Sequence, residues 1–466
     1  MASYEEKRKG RRTAEQILED LGIHRHISTA VCRNGCTYSS GGEGIKLMMR
    51  LFKNKEMRNR IIITLVIMLL YRYGCSLLVP GISTVNLLLS STSFFGMMNM
   101  LGGGALSRFS VFALGVNPYI TASIIIELMT IVIPVLDEWR QDGQKGMQKI
   151  EKATRYLSVI LAILQAFSIT YQFDRQYGIM QLKSASSYMY VIAILTAGSM
   201  ILVWLGDQIT VHGIGNGISL LIFAGIVAEL PSTFTTTFSS LVGGLKGQKV
   251  FSGVMNFTLF VLLYLAIIFL VLKIETAERR IPIKSSRGSA FSSGSNLSYL
   301  PIKVNSSGVI PIIFAQSIMT VPLMIISFIS IDTYKKVDAF VSLTKVSGIV
   351  IYAVLVFLFT FFYADTVVDP EEISDNFRKS GTFIPGIRPG KDTQKYLRNI
   401  LYSTTFTGAV SLTAIAVLPY ILTKVTSLTS AAALGGTGII VAVSVALETM
   451  DMLKAKYTEL KYKRIF

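Results

Sequence analysis

The chain alternates between long apolar runs and shorter polar stretches. Ten runs stand out, at residues 61–80, 111–133, 155–173, 188–206, 214–230, 254–273, 308–330, 347–366, 402–423 and 434–450. Each approaches the roughly twenty residues that a helix needs to cross a hydrocarbon core. The pattern predicts an all-α integral membrane protein with ten transmembrane helices. The runs at 214–230 and 434–450 are short and glycine-rich at their starts. Residues 1–60 are polar and basic, so no cleavable leader is expected before the first span.

Two elements recur along this pattern. Gly115-Val116-Asn117-Pro118-Tyr119-Ile120-Thr121-Ala122-Ser123-Ile124-Ile125-Ile126 opens the second span, and Gly308-Val309-Ile310-Pro311-Ile312-Ile313-Phe314-Ala315-Gln316-Ser317-Ile318-Met319 opens the seventh. Without gaps the two agree at six of twelve positions. The fifth and tenth spans also open alike, on Gly213-Ile214-Gly215-Asn216-Gly217-Ile218 and Gly435-Gly436-Thr437-Gly438-Ile439-Ile440. Both repeats are five spans apart, an odd number, so the two halves insert in opposite directions. Inverted halves place a substrate path at their interface, around a central pore. The expected division is a polar extension at 1–48, a first half at 49–230, an external hinge loop at 231–253, a second half at 254–450 and a basic tail at 451–466. The extension breaks in composition at Ser39-Ser40-Gly41-Gly42, and the pair Met48-Met49 precedes the first span, so translation from Met48 is an expected alternative start.

Charge sharpens this picture. The chain has 466 residues, 51% of them hydrophobic, with mean hydropathy +0.53 and a net charge of +17. The excess cations cluster in alternate loops, around Arg58 and Arg60, Arg140 and Lys145, Arg279 and Arg280, Arg388 and Arg398, and Lys461 and Lys463. That asymmetry follows the positive-inside rule, and with an even number of spans it predicts that both termini are cytoplasmic. Two of these loops, 274–306 and 367–400, are long enough to be functional. The second contains Gly381-Thr382-Phe383-Ile384-Pro385-Gly386-Ile387-Arg388-Pro389-Gly390, in which prolines and glycines predict a shaped tip that holds Arg388 outward.

The spans carry few charges, Arg72, Glu127 and Asp365 among them. No histidine lies within one. A proton-coupled transporter needs buried ionisable relays, and an intramembrane protease needs a nucleophile with its base or paired aspartates. Neither set is visible, nor is a nucleotide-binding or metal motif. His24, His26, Cys32 and Cys36 match no standard zinc spacing, and Cys75 completes the cysteine count without implying disulfides. Energy must then come from a partner, and neither an enzyme nor a cofactor is expected. The repeated elements offer aliphatic side chains, and an apolar constriction blocks ions by dewetting without preferring one solute. That suits a varied polypeptide. The alternative class is an inverted-repeat secondary transporter of a small solute, which needs unwound helices and polar groups at mid-membrane. The apolar stretch at 94–107, too short to span, contains Phe94, Phe95, Met97, Met98 and Leu101, followed by Gly102, Gly103 and Gly104. It is expected to be a short stopper helix with a flexible glycine hinge.

The sequence resembles the SecY family of channel subunits over residues 49–466. The resemblance rests on Asn117 through Ile125, Thr154-Arg155-Tyr156, Gly206-Asp207-Gln208-Ile209-Thr210, Gly213 to Val227 and Arg279-Arg280-Ile281. It continues through Leu300 to Asn305, Gly308-Val309-Ile310-Pro311, Lys379-Ser380-Gly381, Phe383 to Gly390 and Leu434 to Thr437. It implies an hourglass pore that moves unfolded secretory chains across the cell membrane and releases membrane segments through a lateral gate. The gate lies between the second and third spans and the seventh and eighth. Carried over residue by residue, the constriction ring is Val116, Ile120, Ile218, Ile222, Ile313 and Val441, and the plug is 94–107. Arg279, Arg280 and Arg388 would face the SecA motor or the ribosome, while Glu127 and Asn305 would be polar residues of the gate. The partners implied are a clasping SecE subunit, SecG, signal sequences and membrane lipid. Glu127 departs from the glutamine that the family carries there.

Overall fold

In the computed structural model the residues described are 55–82, 94–180, 184–243, 248–285, 298–327, 337, 340–343, 345–425 and 430–463. The extension at 1–48, with the His24–Cys36 group and the break at Ser39, lies outside them. The chain divides into two compact units, residues 1–61 and 62–466. Within the described part of the first, Arg60 pairs with Glu56 at 3.7 Å.

Helices fall on all ten predicted spans. The first half comprises α1 (Lys55–Gly74), the short α2 (Phe94–Leu101), α3 (Asn117–Val132), α4 (Pro134–Gln141), α5 (Gln144–Tyr177), α6 (Ala185–His212) and α7 (Gly217–Val242). The second half holds α8 (Gln248–Glu275), strands β1 (Glu278–Ser285) and β2 (Ser298–Lys303), α9 (Ile310–Ser327) and α10 (Val346–Val367). It closes with α11 (Pro370–Ser380), β3 (Thr382–Phe383), α12 (Lys391–Val425) and α13 (Ser430–Lys463). Among the described residues, α5, α6, α7, α8, α10 with its continuation and α12 are long and apolar enough to span on composition alone. The pair α3–α4 bends by 104°. Ile133 takes an extended conformation there (φ −101°, ψ 110°), as a residue before proline prefers.

Several boundaries differ from the sequence pattern. The hinge loop expected at 231–253 is largely helical, because α7 runs on to Val242 and α8 begins at Gln248. The stretch is rich in serine and threonine, but the hydroxyls of Thr233 and Thr235 donate back to the carbonyls of Glu229 and Pro231 at 3.1 and 3.0 Å. Hydroxyls satisfied within the helix compete less with it. The basic tail expected from 451 continues α13 to Lys463. The two long polar loops build a three-stranded antiparallel sheet in the order β2-β1-β3. Arg280 registers with Pro301, and Lys284 registers with Phe383 across about a hundred residues of chain.

The largest apolar cluster joins Tyr71 of α1, Ile124 of α3, Leu202 of α6, Leu221 of α7, Tyr352 of α10 and Tyr420 of α12. Outer faces stay apolar: Leu69 and Phe251 are each 70% exposed. In lipid such faces need no cover, since association of spans rests on close packing rather than on escape from water.

Candidate channel constriction, plug and docking sheet

The predicted ring residues lie near the starts of the repeated elements. Val116 is the residue before α3, Pro118 occupies its first turn, where the missing N–H costs nothing, and Ile120 follows. In the turn before α7, the side-chain oxygen of Asn216 accepts the N–H groups of Ile218 and Ser219 at 3.1 and 3.3 Å. This cap fixes the helix start, and the i, i+4 spacing then puts Ile218 and Ile222 on one face. Thr210 accepts the Gly217 N–H at 2.9 Å and Thr64 accepts that of Ile214 at 3.2 Å, so α1 and α6 hold the turn. Ile313 stands in the first turn of α9, and Val441 is buried in α13. Val116, Ile120, Ile222, Ile313 and Val441 all belong to the largest apolar cluster, with Ile218 packed against it.

Met100 and Ala105 of the plug segment join the same cluster, and Leu101 packs against it. The other side of the plug segment turns elsewhere. Phe95 and Met98 are buried in a second cluster with Phe173 of α5 and Leu195 of α6. The Phe95 and Phe173 rings lie 4.9 Å apart. The side chains of Phe94 and Met97 lie outside the described residues. Met100 reaches α7 and α13: a Cβ built on Gly438 would stand 1.7 Å from its terminal methyl and 3.1 Å from Ile226. The short helix α2 therefore touches both α7 and α13.

The glycine run after α2 is not a loose hinge. Gly102, Gly103 and Gly104 are all buried. Gly103 has φ +66°, and a Cβ there would meet the Gly225 Cα of α7 at 2.9 Å. Glycine is required for conformation and for close approach together. Arg72 Nη1 donates to the Gly103 carbonyl at 2.6 Å, and the Ser107 N–H donates to Asn99 Oδ1 at 2.7 Å. Nothing in the sequence pairs Arg72 with this turn, since its partner is a backbone oxygen.

The helices flanking the predicted gate are in contact, α3 and α5 each against α9. Glu127 is half-buried on α3. Asn305 is buried before α9, where its Nδ2 donates to Glu275 Oε2 at 3.1 Å and to the Gly308 carbonyl at 3.0 Å. The motif residues Arg155 and Asp207, quoted above without a role, form an ion pair at 2.9 Å that links α5 to α6.

The sheet gathers the basic loops. Arg279 and Arg280 lie exposed on β1, and Arg280 donates to Glu278 at 2.7 Å while its guanidinium stacks 4.8 Å from the Tyr299 ring. Under the sheet, Ile281, Ile302 and Ile384 share a small core with Leu397, Ile400 and Leu401 of α12. Beyond β3 the tip turns at Gly386 (φ +87°), and Thr393 donates to the Arg388 carbonyl at 2.8 Å, leaving the Arg388 side chain exposed. The three arginines thus stand on one small subdomain.

The fold and these elements define a multi-pass helical membrane protein built like the solved protein-conducting channels. A structure described as that of a protein conducting channel matches with TM-score 0.58 at 18% identity, over 86% of this chain and 92% of that one. Sec61 from a canine ribosome–channel complex of the endoplasmic reticulum matches with TM-score 0.56 at 18% identity, with the same coverage. In sequence, the SecY family profile matches residues 110–450. The protein translocase subunit SecY of Mycoplasma capricolum is 40% identical over 427 residues, covering 87% of this chain and 88% of that one. Its Bacillus subtilis counterpart is 38% identical over 425 residues, covering 90% and 98%. The chain belongs to the SecY family.

Proposed function

We propose that this chain forms the path by which unfolded polypeptides cross the membrane, and that it releases apolar segments to lipid between α3–α5 and α9–α10. The observation that carries the reading is the seat of α2. Its Met100 lies in one buried apolar cluster with Val116, Ile120, Ile222, Ile313 and Val441, against helices of both halves. In this reading those residues and Ile218 form the constriction, and α2 with the turn after it is the plug. An apolar rim keeps water and ions from the resting path and has no fixed hydrogen-bond demand on a passing chain.

The charge pattern supports cytoplasmic placement of the β-sheet and of both termini. Arg279, Arg280 and Arg388 then face the motor or ribosome that supplies the energy, a SecA-type ATPase or the translating ribosome. A SecE-type subunit clasps the halves and a SecG-type subunit joins them. A solute-carrier reading has no comparable support, because family membership favours the channel.

Ile313→Asn tests the ring. An amide in the rim favours water there and weakens closure, so a reporter without a functional signal sequence should be exported more, per channel in the membrane, than by the parent. Lower abundance with no gain in permissiveness would assign Ile313 to packing alone.

A further inference from the structure

A cavity of about 510 Å³ opens beside the gate helices, among the end of α8, the link from β2 to α9, α10 and α13. Its polar wall includes Glu275, Glu278, Lys303, Asn305, Glu448 and Asp451. The cations in this wall are already engaged. Lys303 Nζ lies 3.0 Å from Asp451 Oδ2 and Lys454 Nζ lies 3.7 Å from Asp451 Oδ1, while Glu278 receives Arg280. Among the described residues, Glu275 and Glu448 have no ion pair within 4 Å, and Lys303, bonded to Asp451, acts on both from farther away.

Asn305 supplies an independent sign of a ligand. It is only 2% exposed, and its Oδ1 has no hydrogen-bond partner among the described residues. Its orientation is not arbitrary. The Gly308 carbonyl at 3.0 Å from Nδ2 can only accept, so the amide nitrogen must face it, and it donates to the Glu275 carboxylate as well. The oxygen is left needing a donor, and a buried acceptor without one is costly. What fits two carboxylates and an orphaned amide oxygen is a cation that donates several hydrogen bonds.

We propose that this cavity holds the guanidinium or ammonium group of a basic residue in a polypeptide segment bound at the gate, a proposal that rests on the channel reading above. The surroundings favour a polypeptide source. Val309 and Ile310 of the α9 start and Tyr363 and Val367 of α10 form the apolar wall, so the cavity adjoins the helices between which an apolar segment would lodge. Tyr363 is within electrostatic reach of both Glu448 and the gate residue Glu127. Segments addressed to such a gate carry a basic stretch ahead of their apolar core. A chain lying along the gate with that stretch toward the sheet would bring a basic residue here.

The probe is a synthetic peptide with one arginine ahead of an apolar core, carrying one photo-cross-linker beside the arginine and a second in the core. It is presented to the intact channel complex in vesicles. The cross-linker beside the arginine should label α8 or α13 near Glu275 or Glu448. Citrulline in place of the arginine, which keeps the shape without the charge, should weaken that labelling about tenfold, the scale of one lost charge-assisted bond. Glu275→Gln with Glu448→Gln should reduce the arginine peptide to the citrulline level. The citrulline peptide should label this variant as it labels the parent, which reports that the variant is folded. Equal labelling by arginine and citrulline peptides, or no effect of the double substitution, overturns the proposal. So does equal protection of the site by free N-acetyl-arginine amide at the peptide's concentration, which would assign the cavity to a small cation. Failure of the core cross-linker to label α3 or α9 would instead strike the channel reading itself.

Discussion

The contact between Arg72 and Gly103 lends itself to a quantitative test of the plug. In this structure the guanidinium donates at 2.6 Å to the carbonyl of the turn that follows α2. Arg72 is half-buried, so water screens this bond only in part. A hydrogen bond to a charged group contributes roughly 1.5–3 kcal/mol. Arg72→Met keeps most of the apolar stem but leaves the Gly103 oxygen without that donor. A loss near the middle of this range, about 2 kcal/mol, changes the ratio of unseated to seated plug about 30-fold. Arg72→Lys retains the charge without the planar fork and should fall between. The assay is ion conductance of the purified complex in planar bilayers without any substrate, normalised to channel number. Leak should rise in the order parent, Lys, Met. A Met variant as tight as the parent, at normal abundance, would show that the contact does not hold the plug.

Three further outcomes follow from the same geometry. Gly225→Ala should leak while Gly438→Ala stays tight. A Cβ at Gly225 meets the Leu101 carbonyl at 2.7 Å and the Gly103 nitrogen at 3.1 Å, both backbone, whereas at Gly438 it meets only side-chain atoms, the end of the flexible Met100 chain and a methyl of Ile226. Overpacking against backbone costs about 1–3 kcal/mol, and bilayer conductance of the two variants checks the contrast. Arg388→Glu should stop motor-driven export of a secreted reporter in vesicles while leaving membrane insertion of the channel intact, with Arg388→Lys between; normal export by the Glu variant would remove the docking role. Glu127→Gln should leave export of the same reporter within about twofold, since its half-buried carboxylate has no ion pair among the described residues and an ionised group in a span is costly; abolished export would give Glu127 a role of its own.

The spans were legible because a membrane demands long apolar runs and little else. The sheet was not. Its β1–β3 register joins Lys284 to Phe383, and Pro282 and Pro301 interrupt the alternation that marks a strand. Gly102-Gly103-Gly104 reads as a hinge because sequence shows the freedom of glycine but not what approaches it; here the α7 backbone does. Composition at 231–242 reads as a loop because serine and threonine hydroxyls compete with a helix for its backbone groups, whereas in α7 those of Thr233 and Thr235 bond carbonyls one turn back within the helix. Asn305 was singled out with Glu127, yet its bonded carboxylate is Glu275, thirty residues earlier in the chain.

The three-stranded sheet has a mechanical corollary. β1 follows directly on α8, β2 leads into α9, and β3 lies between α11, which continues α10, and α12. Four spans of one half are therefore lashed to a single plate, stiffened by the isoleucine core beneath it. A torque applied at Arg388 cannot bend one loop alone. It acts on a common handle for α8, α9, α10 and α12, so on the docking reading proposed above a bulky partner pressing on the plate gains leverage over the seam between the halves without entering the membrane.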